Sequence, residues 1–285
     1  MILYDAASLA VTALQLGQFL PQHYEMAVKK SAVGVSPWLL FFNSLYTYLV
    51  ALELILVDTT VCTASHFRCF MHAQPLIQMV GAAFLCATMW YWFLKYYDAN
   101  HNQADAFKPP PYFTPQLAPV TFFNAFLFIS AAFTAVGFAL LQIFGRTSYP
   151  LVTYAQWCGL LAAALNAIMW IPQIYVTASY GHKGDVSVWW VLSSVLMDVV
   201  YSVYLARMGE HWTVWANNVP DGVQTTVLLL LILRLEYLDD IAGVDDYGNP
   251  IHQHAHETDM PMQPDESQPL LFRTDPRHRD QLQQV

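Results

Sequence analysis

Ser187, Val191, Ser194, Asp198 and Tyr201 follow one another at steps of four, three, four and three, the spacing that aligns side chains along one face of a helix. Ser36, Leu40, Asn43 and Thr47 repeat those steps. Asp198 stands eleven residues past Ser187, which at about 1.5 Å per residue is roughly 16 Å along the axis and close to the middle of a bilayer. A carboxylate at that depth is costly unless it is protonated, paired or reached by water. The chemistry expected of Asp198 is therefore proton exchange, with the group neutral in one state and ionised when water or a cation reaches it. The other reading is a permanently protonated Asp198, bonded to Asn43, Thr47 or Asn166 as glue between helices. Gln15 and Asn166 precede Pro21 and Pro172 by six residues each and are the next candidates for hydrogen bonds to a small polar substrate.

No nucleophile–base pair and no metal-ligand spacing accompanies these residues, so neither an enzyme, a metal nor a cofactor is expected. Glu53 falls near the end of its apolar segment, where a carboxylate reaches the interface. Cys86 and Cys158 lie in apolar surroundings and read as packing residues, whereas Cys62 and Cys69 share a polar loop and would form a disulfide if that loop faces an oxidising lumen. His252, His254 and His256 alternate near the C-terminus; a solvated tail explains them more simply than a metal.

The elements that must position the stripe are membrane helices. The chain of 285 residues is 56% hydrophobic and 12% charged, far more apolar than an average soluble domain. Its net charge of −9 comes from acids crowded between Glu236 and Asp280, so the hydrophobic body is nearly neutral and nucleic acid is not an expected partner. The lipid bilayer is. A crossing helix needs about 17 to 25 mostly apolar residues, and seven segments qualify: 5–22, 36–57, 74–97, 120–145, 150–173, 186–207 and 212–234. The first lacks the basic start and small-residue cleavage site of a signal peptide and is kept as a helix.

A duplication organises them. Pro21-Gln22-His23-Tyr24 with Val35-Ser36-Pro37-Trp38 matches Pro172-Gln173-Ile174-Tyr175 with Val186-Ser187-Val188-Trp189 at one constant offset of 151. That offset also carries Gln15 onto Asn166, Asn43 onto Ser194 and Thr47 onto Asp198. Two parallel repeats of three helices need an inverting helix between them, which 120–145 supplies. The expected fold is thus all-α, with two parallel three-helix bundles in a 3+1+3 order: residues 1–97 form the first repeat, 98–149 the linker loop and fourth helix, and 150–234 the second repeat. Residues 235–285 read as a disordered acidic tail. The balance of Lys and Arg in short loops places both Pro-Gln loops and the C-terminus in the cytosol and the N-terminus in the lumen.

Pro21 and Pro172, with Gln22 and Gln173, are either hinges or plain helix ends. Trp38 and Trp189 are gates or interfacial anchors. In the tail, Glu266-Ser267-Gln268-Pro269-Leu270-Leu271 has the acidic-dileucine form read by coat adaptors; an inert tail is the alternative.

Pro21-Gln22, Pro172-Gln173, Ser36 and Ser187 with their flanking valines, and the 3+1+3 order resemble the PQ-loop repeat family, the superfamily of cystinosin-like exporters, SWEET sugar carriers and KDEL receptors. The resemblance covers about residues 5–235. It implies two bundles around a central cavity, alternating access by rocking, and the Pro-Gln turns as hinges. In the cystinosin-like branch the proton site lies seven positions after the motif serine; here that residue is Ser194, with Asp198 one turn later, while Asn43 fits the family's asparagine in the first repeat. Lys30-Ser31-Ala32-Val33-Gly34-Val35-Ser36 keeps the loop signature that His182-Lys183-Gly184-Asp185-Val186-Ser187 has partly lost.

The expected function is an endomembrane carrier, vacuolar or lysosomal, of a small polar metabolite such as an amino acid, with Asp198 as the proton site. A SWEET-type sugar facilitator, or a receptor or scaffold that recruits partners through loops and tail, are the alternatives.

Overall fold

The computed structural model describes residues 2–58, 74–101, 118–145, 147–208 and 218–251. These residues are all-helical, with no strand among them. In chain order the helices are α1 (Ile2–Gly17), α2 (Leu20–Lys29), α3 (Pro37–Asp58), α4 (Gln74–His101), α5 (Pro119–Phe144), α6 (Tyr149–Asn166), α7 (Ile171–Tyr180), α8 (Val188–Met208) and α9 (Asn218–Ala242). Counting α1–α2 and α6–α7 each as one interrupted helix, they make seven. Four of the spans are long and apolar enough to cross a membrane: Pro37–Leu56, Pro75–Tyr97, Pro119–Phe144 and Tyr149–Tyr180. In α5 only 11% of the apolar window is buried, and Phe128 and Ile143 point outward. Apolar helices with bare apolar flanks are those of a multi-pass membrane protein.

The helices begin close to the expected positions, and the difference lies at the two prolines. Neither proline ends its helix. Each sits in the first turn of a second half-helix, where its missing N–H removes no required bond and its fixed φ suits helix entry. The breaks lie at Gln18–Phe19 and at Ala167–Trp170. Phe19 and Trp170 keep right-handed helical dihedrals, so each interruption is a local loosening and not a reversal. At the second break the bond Pro172 cannot make to Ile168 is replaced by a tighter one, Ile171 N to Ile168 O at 3.2 Å.

The offset seen in the residues recurs in the backbone. α2 and α7 start and end 151 positions apart, as do the starts of α3 and α8. Even the left-handed residue closing each half-helix corresponds, Lys30 with φ 50° and Gly181 with φ 73°. The packing is less even. α3 lies against α6 along much of its length, burying Leu49, Leu52, Leu151 and Ala155 between them, while its counterpart α8 meets α1 only sparingly. A second cluster, with Leu39, Leu40, Trp90, Trp190, Leu228 and Ile232 at its centre, fills the half of the bundle near the Pro-Gln loops.

One expectation fails at the C-terminal boundary. The chain does not lose structure at 235: α9 runs to Ala242 and is followed by a tight turn in which Val244 bridges Pro250. The acids that make this stretch look unable to fold are met by partners from distant loops. His182 Nδ1 lies 2.8 Å from Asp239 Oδ1, Lys183 Nζ pairs with Glu236, and Lys29 Nζ lies 3.1 Å from Asp246. Glu266, Leu270 and Leu271, the three histidines at 252–256, and Cys62 and Cys69 all lie outside the described residues.

Candidate functional site

Two buried glutamines tie the Pro-Gln loops together. Gln22 and Gln173 are both 0% exposed, so each amide must find its bonds within the protein. Gln22 donates through Nε2 to the Asp185 carbonyl at 3.0 Å and accepts at Oε1 from the Ser187 amide at 2.8 Å. Gln173 donates to the Gly34 carbonyl at 2.7 Å and accepts from the Ser36 amide at 2.7 Å. Position by position these bonds correspond under the same offset, and each glutamine reaches across to the loop of the other repeat. Glutamine is needed because no other uncharged side chain of that length carries a donor and an acceptor together. The loops themselves touch at Gly34 and Gly184: a Cβ on Gly184 would lie 2.6 Å from the Val33 carbonyl oxygen, and its φ is +61°.

Beyond this crossed pair, away from the loops, lies a cavity of about 80 Å³, room for on the order of half a dozen waters. Gln15, Asn43, Thr47, Ser194, Asp198 and Tyr201 line it together, so six of the residues singled out by spacing converge. Asn166 does not line it; the residue is 2% exposed and packed at the end of α6. The face of α8 that carries Val191, Ser194 and Asp198 does turn inward, since Val199 and Val200 on its other side are exposed. Neither Trp38 nor Trp189 lines the cavity. Trp38 stacks edge-on against Phe122 of α5 at 4.7 Å, and Trp189 is 68% exposed, an anchor's position. Trp170 and Trp190 line it instead, with centroids 5.0 Å apart. Glu53 is placed elsewhere, its carboxyl against Gly159 of α6, where a Cβ would not fit.

Asp198 has a partner that spacing did not reveal. Asp221, in the first turn of α9, faces it across the same cavity, close enough for the two carboxyl groups to interact. Two carboxylates brought this close in a poorly solvated site repel, an arrangement that favours a proton shared between them over two charges. Thr225 Oγ1 adds a longer contact to Asp198 Oδ2 at 3.4 Å, and Asp198 lies against Gly222 of α9. The N-terminus of α9 also favours a negative charge at Asp221. Trp170 completes the set: its indole Nε1 donates to Asp221 Oδ1 at 2.5 Å. Trp170 is also the last residue of the second helix break, and Gln224 braces that break, accepting from the Trp170 amide at 3.3 Å and donating to the Ala167 carbonyl at 2.9 Å. The carboxyl pair and the interrupted helix are thus joined by one side chain.

Not every donor and acceptor in the cavity is paired. Thr47 and Ser194 donate their hydroxyl protons to carbonyls of their own helices, leaving oxygen lone pairs inward. Gln15 Oε1, an acceptor, and Asn218 Nδ2, a donor, are both buried with no partner. Of the described residues lining the cavity none is Lys, Arg or His. An acidic, aromatic-walled space without a basic residue among its described lining suits a ligand that brings positive charge. Among the described residues no group of His, Cys, Asp and Glu is arranged to hold a metal ion.

On the loop face, outside the helical spans, burial pushes the Asp185 carboxyl above the usual carboxylate range, against the hydrogen bonds it accepts from Ser31, Tyr247 and the Val33 amide. Burial pulls the Lys29 and Lys183 ammoniums down, but Asp246, with Glu25 for the first and Glu236 for the second, outweighs it and holds both above their ordinary value. Against family models, curated proteins and solved structures alike, the chain finds no match, so the reading of the site rests on its geometry.

Proposed function

We propose that the protein is a PQ-loop repeat carrier, built as two parallel three-helix bundles about an inverting fourth helix, that moves a small polar metabolite across an endomembrane by alternating access. The observation that carries this reading is the Asp198–Asp221 pair in a cavity without a basic residue among its described lining. It favours a substrate with an ammonium group, an amino acid or related amine, over an uncharged sugar. The pair holds either a proton or the substrate's cation. A cation entering between the carboxylates displaces the shared proton, and the cation leaves when a proton returns. Because Asp221 bonds to Trp170, exchange at the pair is felt at the break before Pro172, the hinge of the second repeat. In this reading the crossed Gln22 and Gln173 bonds seal the Pro-Gln side, which faces the cytosol, and the compartment on the other side is vacuolar or lysosomal.

Reconstitution in liposomes with an imposed pH gradient and a panel of cationic amino acids, neutral amino acids and sugars tests it. Amine flux driven by the gradient is expected, and its pH dependence is lost in Asp198→Asn. Gradient-driven flux unchanged in that variant removes the proton role. Flux of sugars alone favours the facilitator, and no flux of any solute favours the receptor or scaffold.

A further inference from the structure

We propose that the turn at residues 243–250 is a strap that fastens the two Pro-Gln loops to each other and must let go before the face they form can open. The inference rests on the carrier reading for its purpose, though not for its geometry. The strap reaches both repeats at once. Asp246 pairs with Lys29, the last residue of α2, at 3.1 Å and with Lys183, in the corresponding loop of the second repeat, at 3.3 Å. Its carbonyl accepts from the Gly184 amide at 3.0 Å. Tyr247 donates its hydroxyl to Asp185 Oδ1, while Asp185 Oδ2 accepts from the Val33 amide of the first repeat's loop at 2.7 Å. One carboxyl therefore stands between the strap and both loops.

The strap is preshaped for this task. Asp245 accepts at Oδ1 from the amides of Tyr247 and Asn249 at 2.9 and 2.8 Å, an Asx turn that closes on the Asp245 N to Asn249 O bond at 2.8 Å and needs no help from the loops. Gly248, at φ +80°, lies so close to the His182 ring that a Cβ would not fit. The contacts named are polar, partly exposed ion pairs and single hydrogen bonds, the composition of a contact that opens locally while the helices stay folded. A segment meant only to end α9 would have no need to bridge loops 150 residues apart.

The experiment reads opening directly. Ser36, whose side-chain oxygen is buried beside the crossed glutamines, is replaced in the full chain by Cys, and its modification by a membrane-impermeant maleimide added from the C-terminal face is followed by peptide mass spectrometry. Asp246→Asn with Tyr247→Phe removes the attachment, and Asp245→Ala separately undoes the turn without touching the loops. Both backgrounds are expected to label on the order of tenfold faster than the Ser36→Cys parent, with the native buried Cys158 unmodified as the control against unfolding. Labelling at the parent's rate in both backgrounds, or a matching rise at Cys158, overturns the strap. Faster labelling in a protein that carries no solute leaves the strap standing and removes the carrier reading; flux with unchanged labelling does the reverse.

Discussion

At the residue scale, the site depends on side chains that sequence spacing finds unequally. Asp198 is conspicuous because a carboxyl in an apolar helix has few cheap explanations. Asp221 is not, since an acid just after a proline at a helix start reads as an ordinary first-turn residue favoured by the helix dipole; only the fold brings it to Asp198. Trp170 is hidden for a similar reason, as a tryptophan in an apolar run looks like packing until its N–H finds a carboxylate. In the proposed carrier Trp170→Phe keeps the ring contact with Trp190 and deletes the bond to Asp221. A hydrogen bond to a charged group is worth about 1.5 to 3 kcal/mol, roughly ten- to a hundredfold. Liposome assays of this variant are expected to show pH-driven flux reduced by about that factor while flux down a substrate gradient persists. A parallel loss of both would mean that the indole serves packing alone.

The strap's ionisable groups make a second residue-scale prediction. Lys29 and Lys183 are held above 10.5, so their ion pairs are fully present below that value and fade only as pH rises through their raised pKa values. Asp245 is pushed up by burial, but the bonds donated by Asn249 and Tyr247 outweigh it and hold the carboxyl below 3.8; the turn is kept above 3.8 and lost as pH falls through that lowered value. Asp185 has the opposite sign. Its raised pKa, caused by burial, favours the folded loop at low pH and withdraws that contribution as pH climbs from 3.8 through the raised value, whereas the bond it accepts from Tyr247 of the strap favours the carboxylate. Across the mildly acidic range the lysine charges and the Asp245 turn are unchanged, so the strap is expected to hold about as tightly as at neutral pH. Hydrogen exchange at residues 244–248, corrected for intrinsic rates, checks this by protection at pH 5 about equal to that at pH 7.

At the element scale, the broken helices carry most of the design. The seven apolar segments are legible because burial in lipid demands long uninterrupted runs, and the prolines mark where two of them are interrupted. What the segments cannot show is that each break is braced from elsewhere, by Gln224 in the second repeat and by His23 in the first, whose Nδ1 lies 2.8 Å from the Phe19 carbonyl and whose Nε2 lies 2.7 Å from Thr88 of α4. The extra turns of α9 and the strap were equally hidden, since their acids look unpaired until Lys29, His182 and Lys183 are seen beside them. The loop contact gives a sharp test. Gly184→Ala sets a Cβ 2.6 Å from a backbone oxygen at a positive φ, whereas at Gly34 the nearest atoms stand at 3.3 Å. Left-handed strain alone costs about 1 to 3 kcal/mol, and a backbone oxygen cannot rotate away as a side chain would. Thermal melting in detergent is expected to rank native above Gly34→Ala above Gly184→Ala. Equal melting of the two variants would show that the loops separate readily.

At the scale of the whole molecule, a duplicated backbone carries an unduplicated site. The offset holds for the starts of α2 and α7 and of α3 and α8, the left-handed caps and the crossed glutamines; in the proposed carrier those features serve closure, which one motif used twice achieves. The offset fails at the cavity, where Thr47 corresponds to Asp198 and no acid stands opposite Thr47 in the described residues of α4. In the proposed carrier one shared proton needs one pair, and a second acid pair would add like charge to a small space. The packing follows the same division, with α3 pressed along α6 while α8, which bears Asp198, stays loosely covered by α1. Exchanging the two residues tests whether position or mere presence of the acid matters. In Thr47→Asp with Asp198→Thr the carboxyl keeps its place in the lining of the cavity but loses Asp221, Thr225 and the link through Asp221 to Trp170. The exchanged protein is expected to melt near the native temperature, because both residues remain in the same polar cavity, and to show no pH-driven flux in liposomes. Restored flux would mean that the cavity needs only an acid somewhere on its wall, and the route from the carboxyl pair to the second hinge would lose its role.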